Sequence, residues 1–164
     1  MKILSNDPSL AGWGWAVTEG DEVLEIGCIK TSSGHEILKI SKPLARTLRV
    51  SEIAVQLLDV IRRHNVSLII SELPHGSQNA SAAISIGITI GILQTLSDSL
   101  NIPIQYLSEG DSKKALLGKR HAEKSETLEA IKKLYNVPWS GTRFRDEAVA
   151  DALSIHNYFK HQNQ

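Results

Sequence analysis

Apolar and polar positions along the chain alternate between short β-type runs and longer helical stripes. Ile3 and Leu4 form a short apolar run bounded by Asp7-Pro8, which predicts a buried strand ending at that aspartate. Pro8 cannot donate to a sheet ladder and biases the residue before it toward extended geometry, so the Asp7 carboxylate is held where the chain leaves the core. Gly12 to Thr18 reads as a second strand, Gly20-Asp21 as its turn, and Val23 to Ile29 as a third, together an antiparallel meander. Thr31 to Pro43 is polar and loop-like. A helix is predicted from Leu44 to His64, where Val50, Ile53, Ala54, Leu57, Leu58 and Ile61 keep helical spacing on one face. Val66 to Ile70 is the next buried strand, ending at Ser71-Glu72, and Leu73-Pro74-His75-Gly76 breaks the chain straight after it.

The segment from Asn79 to Leu100 reads as a buried helix rich in small residues. Glycines inside a helix cost about 1 kcal/mol each relative to alanine. Gly87 and Gly91 therefore imply close approach of another backbone, from the central sheet or from a partner subunit. Ile102 to Leu107 is a further strand, Asp111 an N-cap for a short helix from Ser112 to Leu117, and Gly118 its stop. Helices from Glu123 to Tyr135 and from Asp146 to Phe159 complete the order, with a loop from Val137 to Arg145 between them. Three strands followed by two more, each reached through a helix, predict an α/β fold. Its central mixed five-stranded sheet joins an antiparallel meander to parallel strands and is flanked by helices. No repeat or linker interrupts residues 1–164, which read as one domain.

Composition narrows the class. With 41% hydrophobic and 22% charged residues in 164, the chain suits a globular domain, and the expectation is no membrane association. Cys28 is the single cysteine, which excludes a disulfide framework and a cysteine zinc site and fits a reducing, cytoplasmic setting. Eighteen basic residues balance eighteen acidic ones, yet Lys113, Lys114, Lys119, Arg120 and Lys124 crowd one short span with Glu123 opposing them. A solvated face and a nucleic-acid contact surface are both open for that patch.

The candidate chemistry lies in carboxylates. Glu147 and Asp151 stand four apart on the last helix and share a face, while Asp146 lies about 140° from Asp151 and suits the helix N-terminus. Singly, Asp7 is a turn residue, Glu72 a strand-end charge, and Asp146 and Glu147 helix-dipole partners. Together, two strand-end acids and a helical acidic pair suggest oxygen ligands for hard divalent cations. Two such ions can activate water and stabilise the leaving oxygen of a phosphodiester.

At these residues the chain resembles the RuvC-type Holliday-junction resolvases. The resemblance is carried by Ile3-Leu4 with Asp7-Pro8-Ser9-Leu10, by Gly14 to Val17, and by Glu72 followed by the small-residue stretch from Ala80 to Gly91. It continues through Lys113 to Gly118, Ala122 to Ser125, and Asp151-Ala152-Leu153. The resemblance implies an RNase H-like fold, a homodimer, and Mg²⁺ or Mn²⁺, with two ions per active site, used to nick symmetrically related strands of a four-way DNA junction. It implies Asp7, Glu72 and Asp151 as metal ligands and Lys113 and Lys124 as catalytic residues facing the scissile phosphate. DNA contacts are expected from the same two lysines, from Lys114, Lys119 and Arg120, and from His75 and Asn79 in the loop after Glu72. Two positions depart from the family. Many members have an acid or histidine three residues before the final Asp, where this chain has Ala148; Glu147 is the expected substitute ligand, with Asp146 in reserve. The aromatic wedge common after the family's Glu is replaced by Leu73-Pro74-His75, where His75 can stack on a base.

Two rival readings remain beside the resolvase. One is an RNase H-like nuclease for forks, flaps or RNA-DNA hybrids, and the other a non-catalytic junction-binding module, favoured by Ala148. The setting expected is the cytoplasm of a bacterial or phage-infected cell, or an organelle.

Overall fold

The computed structural model describes residues 1–32, 39–74 and 76–163. Five strands and five helices follow in order: β1 Lys2–Asp7, β2 Gly12–Glu19, β3 Glu22–Lys30, α1 Lys42–His64, β4 Leu68–Glu72, α2 Ala80–Leu100, β5 Ile104–Leu107, α3 Glu109–Leu117, α4 Lys124–Leu134 and α5 Arg143–Gln162. They form one five-stranded sheet in the order β3-β2-β1-β4-β5. The meander is antiparallel, and β4 and β5 add to β1 in parallel, as expected.

Alternation along the strands sorts side chains onto two faces. Leu4, Trp13, Trp15, Val17 and Ile69 pack with Ile53, Leu57 and Ile61 of α1 and Ile92, Leu93 and Leu96 of α2. On the opposite face Ala16 meets Leu128 and Ile131 of α4 and Val149 and Leu153 of α5, while Ile3 and Ile70 meet Ile155 and Phe159. The result is helix, sheet and helix in three layers.

Strands β4 and β5 each begin two residues later than the apolar runs imply, for one shared reason. Helix α1 ends in Asn65 at φ 54°, and Val66 folds back to donate to the Ile61 carbonyl at 3.0 Å. Helix α2 ends in Asn101 at φ 55°, and Ile102 donates to the Ser97 carbonyl, again at 3.0 Å. The first apolar residue of each run closes a helix instead of opening a strand. Helix α3 starts at Glu109 with Ser108 as its cap, whose hydroxyl accepts from the Asp111 amide at 3.3 Å, so Asp111 is not the N-cap.

Helix α2 corrects a second expectation, because it is not buried. Thr89, Ile92, Leu93, Leu96 and Ser97 face inward, whereas Ile84 is 51% exposed. A side chain added at Gly87 or Gly91 would meet nothing within 4 Å, so the sheet is not the backbone these glycines admit. By length and composition α2 could cross a membrane. It instead connects β4 to β5, and crossing a bilayer would separate two hydrogen-bonded neighbours.

Candidate active site

The parallel half of the sheet brings its acids to one edge. Asn6 of β1 lies opposite Ser71 of β4, so Asp7 and Glu72 are the next residues out on adjoining strands. Glu72 lies opposite Leu107, and the chain turns from there through Ser108 into α3, whose first residue is Glu109. Fully buried Asn6 fastens this edge. Its amide donates to the Ile70 carbonyl at 3.1 Å, and its oxygen accepts from the Trp13 indole at 3.0 Å.

Helix α5 brings Asp151 to the same place across a groove in β2. Gly14 pairs with Asp7, and a Cβ at Gly14 would lie 1.9 Å from the Ala148 carbonyl. A Cβ at Gly12 would lie 2.2 Å from the Phe144 ring. Gly14 thus admits the backbone of α5 and Gly12 the ring of its Phe144, and Asp151 sits one turn beyond the Ala148 contact.

The site's charges do not balance. Asp7, Glu72, Asp151 and Glu109 act on one another electrostatically, with Lys113 and Lys124 as the countercharges. Burial first, then the Asp151 charge, pushes Asp7 up to about 7. Burial, then Asp7, Glu109 and Asp151, pushes Glu72 up to about 8. Burial also raises Asp151, against the pull of Lys124, whose ammonium lies 3.0 Å from the Asp151 carboxylate. Burial opposes the charge on Lys124, but Asp151 and Asp7 outweigh it and hold that lysine up at about 12. For Glu109 burial is outweighed by the Lys113 ammonium and by a hydrogen bond with Glu72, so its carboxyl is held below the usual range. Fully ionised, four carboxylates against two ammonium groups leave a deficit that one divalent cation would neutralise. Among the described residues no three acid, histidine or cysteine side chains already stand in ligating geometry. The donor set nonetheless fits a hard divalent ion, being all oxygen, on rigid strand and helix ends, and short of positive charge.

The remaining expected residues divide. Glu147 accepts from Arg143 at 2.7 Å and lies at the rim, where its charge reaches Lys124. Glu147 stands one turn before Asp151 on the same face of α5, with its carboxylate turned to Arg143. Asp146 is buried and spent, accepting from the Ser140 amide at 2.8 Å, the Ser140 hydroxyl at 2.7 Å and the Gly141 amide at 3.1 Å. It pins the loop before α5, which excludes it as a reserve ligand. Asn79 caps α2, accepting from the Ala82 amide at 3.0 Å. His75 lies outside the described residues.

The basic patch has more partners than Glu123. Lys113 is buried against Glu109, Lys119 pairs with Glu126 at 2.5 Å, Arg120 pairs with Asp111, and Lys114 is exposed. An open cleft of about 790 Å³ between α3 and α4 runs along this patch and reaches Lys113 and Glu109. Glu109 itself escaped the sequence reading. Its signal was Ser108 as an N-cap with Lys113 four residues after Glu109, the spacing of a helical ion pair.

A mixed sheet of this order, with acids ending β1 and β4 and a third on the final helix, defines an RNase H-like fold. The solved Thermus thermophilus RuvC in complex with a Holliday junction substrate superposes with a TM-score of 0.71 at 20% identity, over 99% of this chain and 96% of that one. The Fowlpox virus resolvase, solved with Holliday junction DNA, gives 0.60 at 12% identity over 99% of both chains. The family model for crossover junction endodeoxyribonuclease RuvC matches residues 3–157. The chain belongs to that family, whose members are divalent-metal-dependent nucleases. RuvC of Ehrlichia chaffeensis is 29% identical over 163 residues, 98% of each chain. RuvC of Synechococcus sp. strain CC9311 is 30% identical, covering 98% of this chain and all of that one.

Proposed function

We propose that this protein resolves four-way DNA junctions as a homodimer, nicking symmetrically related strands by metal-dependent phosphodiester hydrolysis, with residues 1–164 acting as one nuclease domain. Asp7, Glu72 and Asp151 hold Mg²⁺ or Mn²⁺, two ions per site. When bound, the metal supplies an activated water and balances charge on the leaving oxygen. The protein's own part is positional. The rigid ends of β1 and β4 fix two carboxylates, and the Gly14–Ala148 contact sets the third. Lys113 and Lys124 flank this set and hold the phosphate between them, while Lys119 and Arg120 carry the DNA along the cleft and exposed Lys114 contacts it outside the cleft. The outward face of α2, with exposed Ile84 and the open Gly87 and Gly91, is the contact with a second subunit.

The observation that carries this reading is the charge deficit among buried acids beside two lysines, in a chain that the RuvC model matches nearly end to end. DNA as substrate and bacterial relatives support a cytoplasmic location. Cleavage of an immobile four-way junction against linear duplex, with Mg²⁺, Mn²⁺ or EDTA, tests it. Paired, metal-dependent nicks confined to the junction are expected; equal cutting of duplex, fork and junction would replace this reading with a general nuclease. A second reading, a junction-binding module without chemistry, is favoured by Ala148, and tight binding without cleavage in either metal would establish it.

A further inference from the structure

Ala148 leaves the carboxylate set one short of what the family commonly carries, and neither nearby acid on α5 fills the gap. Asp146 is committed to three donors in the preceding loop, and Glu147 to Arg143 at the rim. The fourth acid at the site comes from another element. We propose that Glu109, the first residue of α3, is a metal ligand that completes the set with Asp7, Glu72 and Asp151.

Three observations carry this. Glu72 of β4 lies in register with Leu107 of β5, and the Leu73 amide donates to the Leu107 carbonyl at 2.8 Å, so the start of α3 is bound to the strand end that bears Glu72. Ser108 caps that helix, which fixes Glu109 at the first helical position, and from there the Glu109 charge acts on Glu72, Asp7 and Asp151. Lys113, one turn on and buried, pairs with Glu109 from the helix side and holds it toward the acids. A carboxylate at a helix start needs no partner beyond the helix dipole and such a lysine. Here it is turned onto other carboxylates, which costs free energy unless a cation belongs among them.

The proposal rests on reading the cluster as a metal site, and the experiment separates the two. Mn²⁺ binding is measured by calorimetry, and melting is followed in EDTA and in Mn²⁺, for the wild type, Glu109→Gln and Glu147→Gln; Glu109→Ala repeats the comparison in case the new amide disturbs Glu72. The expected result is at least a tenfold loss of Mn²⁺ affinity in both Glu109 variants. Melting in EDTA should be unchanged or raised, and the Mn²⁺-induced rise in Tm should be reduced. Glu147→Gln should stay within twofold of wild type on every readout. A Glu109 that serves only the helix start and Lys113 predicts the reverse, a lower Tm in EDTA with Mn²⁺ affinity within twofold, and that result overturns the proposal. A wild type that binds no Mn²⁺ overturns the metal-site reading and this proposal together.

Discussion

Helix α5 buries ionisable groups at two places five residues apart, and they are solved in opposite ways. At His156 the polar groups satisfy one another. The ring lies 2% exposed, its Nδ1 stands 3.2 Å from the Tyr135 hydroxyl, and burial pushes it down to about 4, with Lys160 adding to that shift and Asp21 opposing it. Burial also pushes Tyr135 up to about 12, so a neutral phenol and a neutral imidazole share that hydrogen bond. At Asp151 four acids crowd two lysines, and the cost of burying charge shows in the raised Asp7, Glu72 and Asp151. The same helix, on the same sheet face, could have been satisfied at both places. Unrelieved repulsion at one of them is what the proposed cation would relieve.

The sharpest break of this contrast is at the acids. Asp7→Asn and Glu72→Gln are each expected to lower single-turnover junction cleavage by about a thousandfold or more while gel-shift binding stays within a few fold. In EDTA the same variants should melt higher by a few degrees, because removing one buried charge relieves the others. Lower melting would mean that the acids stabilise the fold, and the contrast with His156 would fail.

Next comes the groove that delivers Asp151. Gly14→Ala puts a methyl 1.9 Å from the Ala148 carbonyl, and backbone on both sides leaves no room to yield. About 3 kcal/mol of stability should be lost in urea titrations, and misplacing α5 by about 1 Å should cost about a hundredfold in rate. A stability loss without a rate loss would show that α5 does not set the site.

At the satisfied place the effect is one of pH. His156 has its folded pKa depressed below its unfolded value near 6.5. Its neutral burial is therefore fully tolerated above about pH 6.5, and stability falls as pH drops from there toward about 4, by about 3 kcal/mol in all. Raised Asp7 and Glu72 shift the opposite way, stabilising the fold as they take up protons below about 7 and 8. The difference between wild type and His156→Gln in urea titrations across pH 4 to 8 isolates the histidine. A difference that does not change with pH would mean that the imidazole titrates in the fold as it does in the unfolded chain, and the contrast with the acids would fail.

The smallest effect belongs to Glu147→Gln. Its partner Arg143 is exposed at the helix start, and such a pair contributes about 0 to 1 kcal/mol. Cleavage should change by less than about threefold, a margin that a ligand would exceed.

Local pattern alone determined the order of strands and helices, and it put acids at two strand ends and on the last helix. Strand-length apolar runs ending at Asp7 and Glu72, and the helical stripe carrying Asp151, are properties of neighbouring residues, and so is the small-residue composition of α2. Periodicity also led to the mixed five-stranded sheet, because short turns and helical crossovers restrict how such strands can pair. What periodicity misses is where a side chain ends after elements dock. Glu109 joins the acids because β4 and β5 pair at Glu72 and Leu107, a register that no window of sequence contains. Asp146 turns to its own loop, the patch lysines find Glu126 and Glu109, and Gly87 and Gly91 face outward. Each outcome depends on distances of a few ångströms between segments far apart in the chain, and those distances are decided by packing.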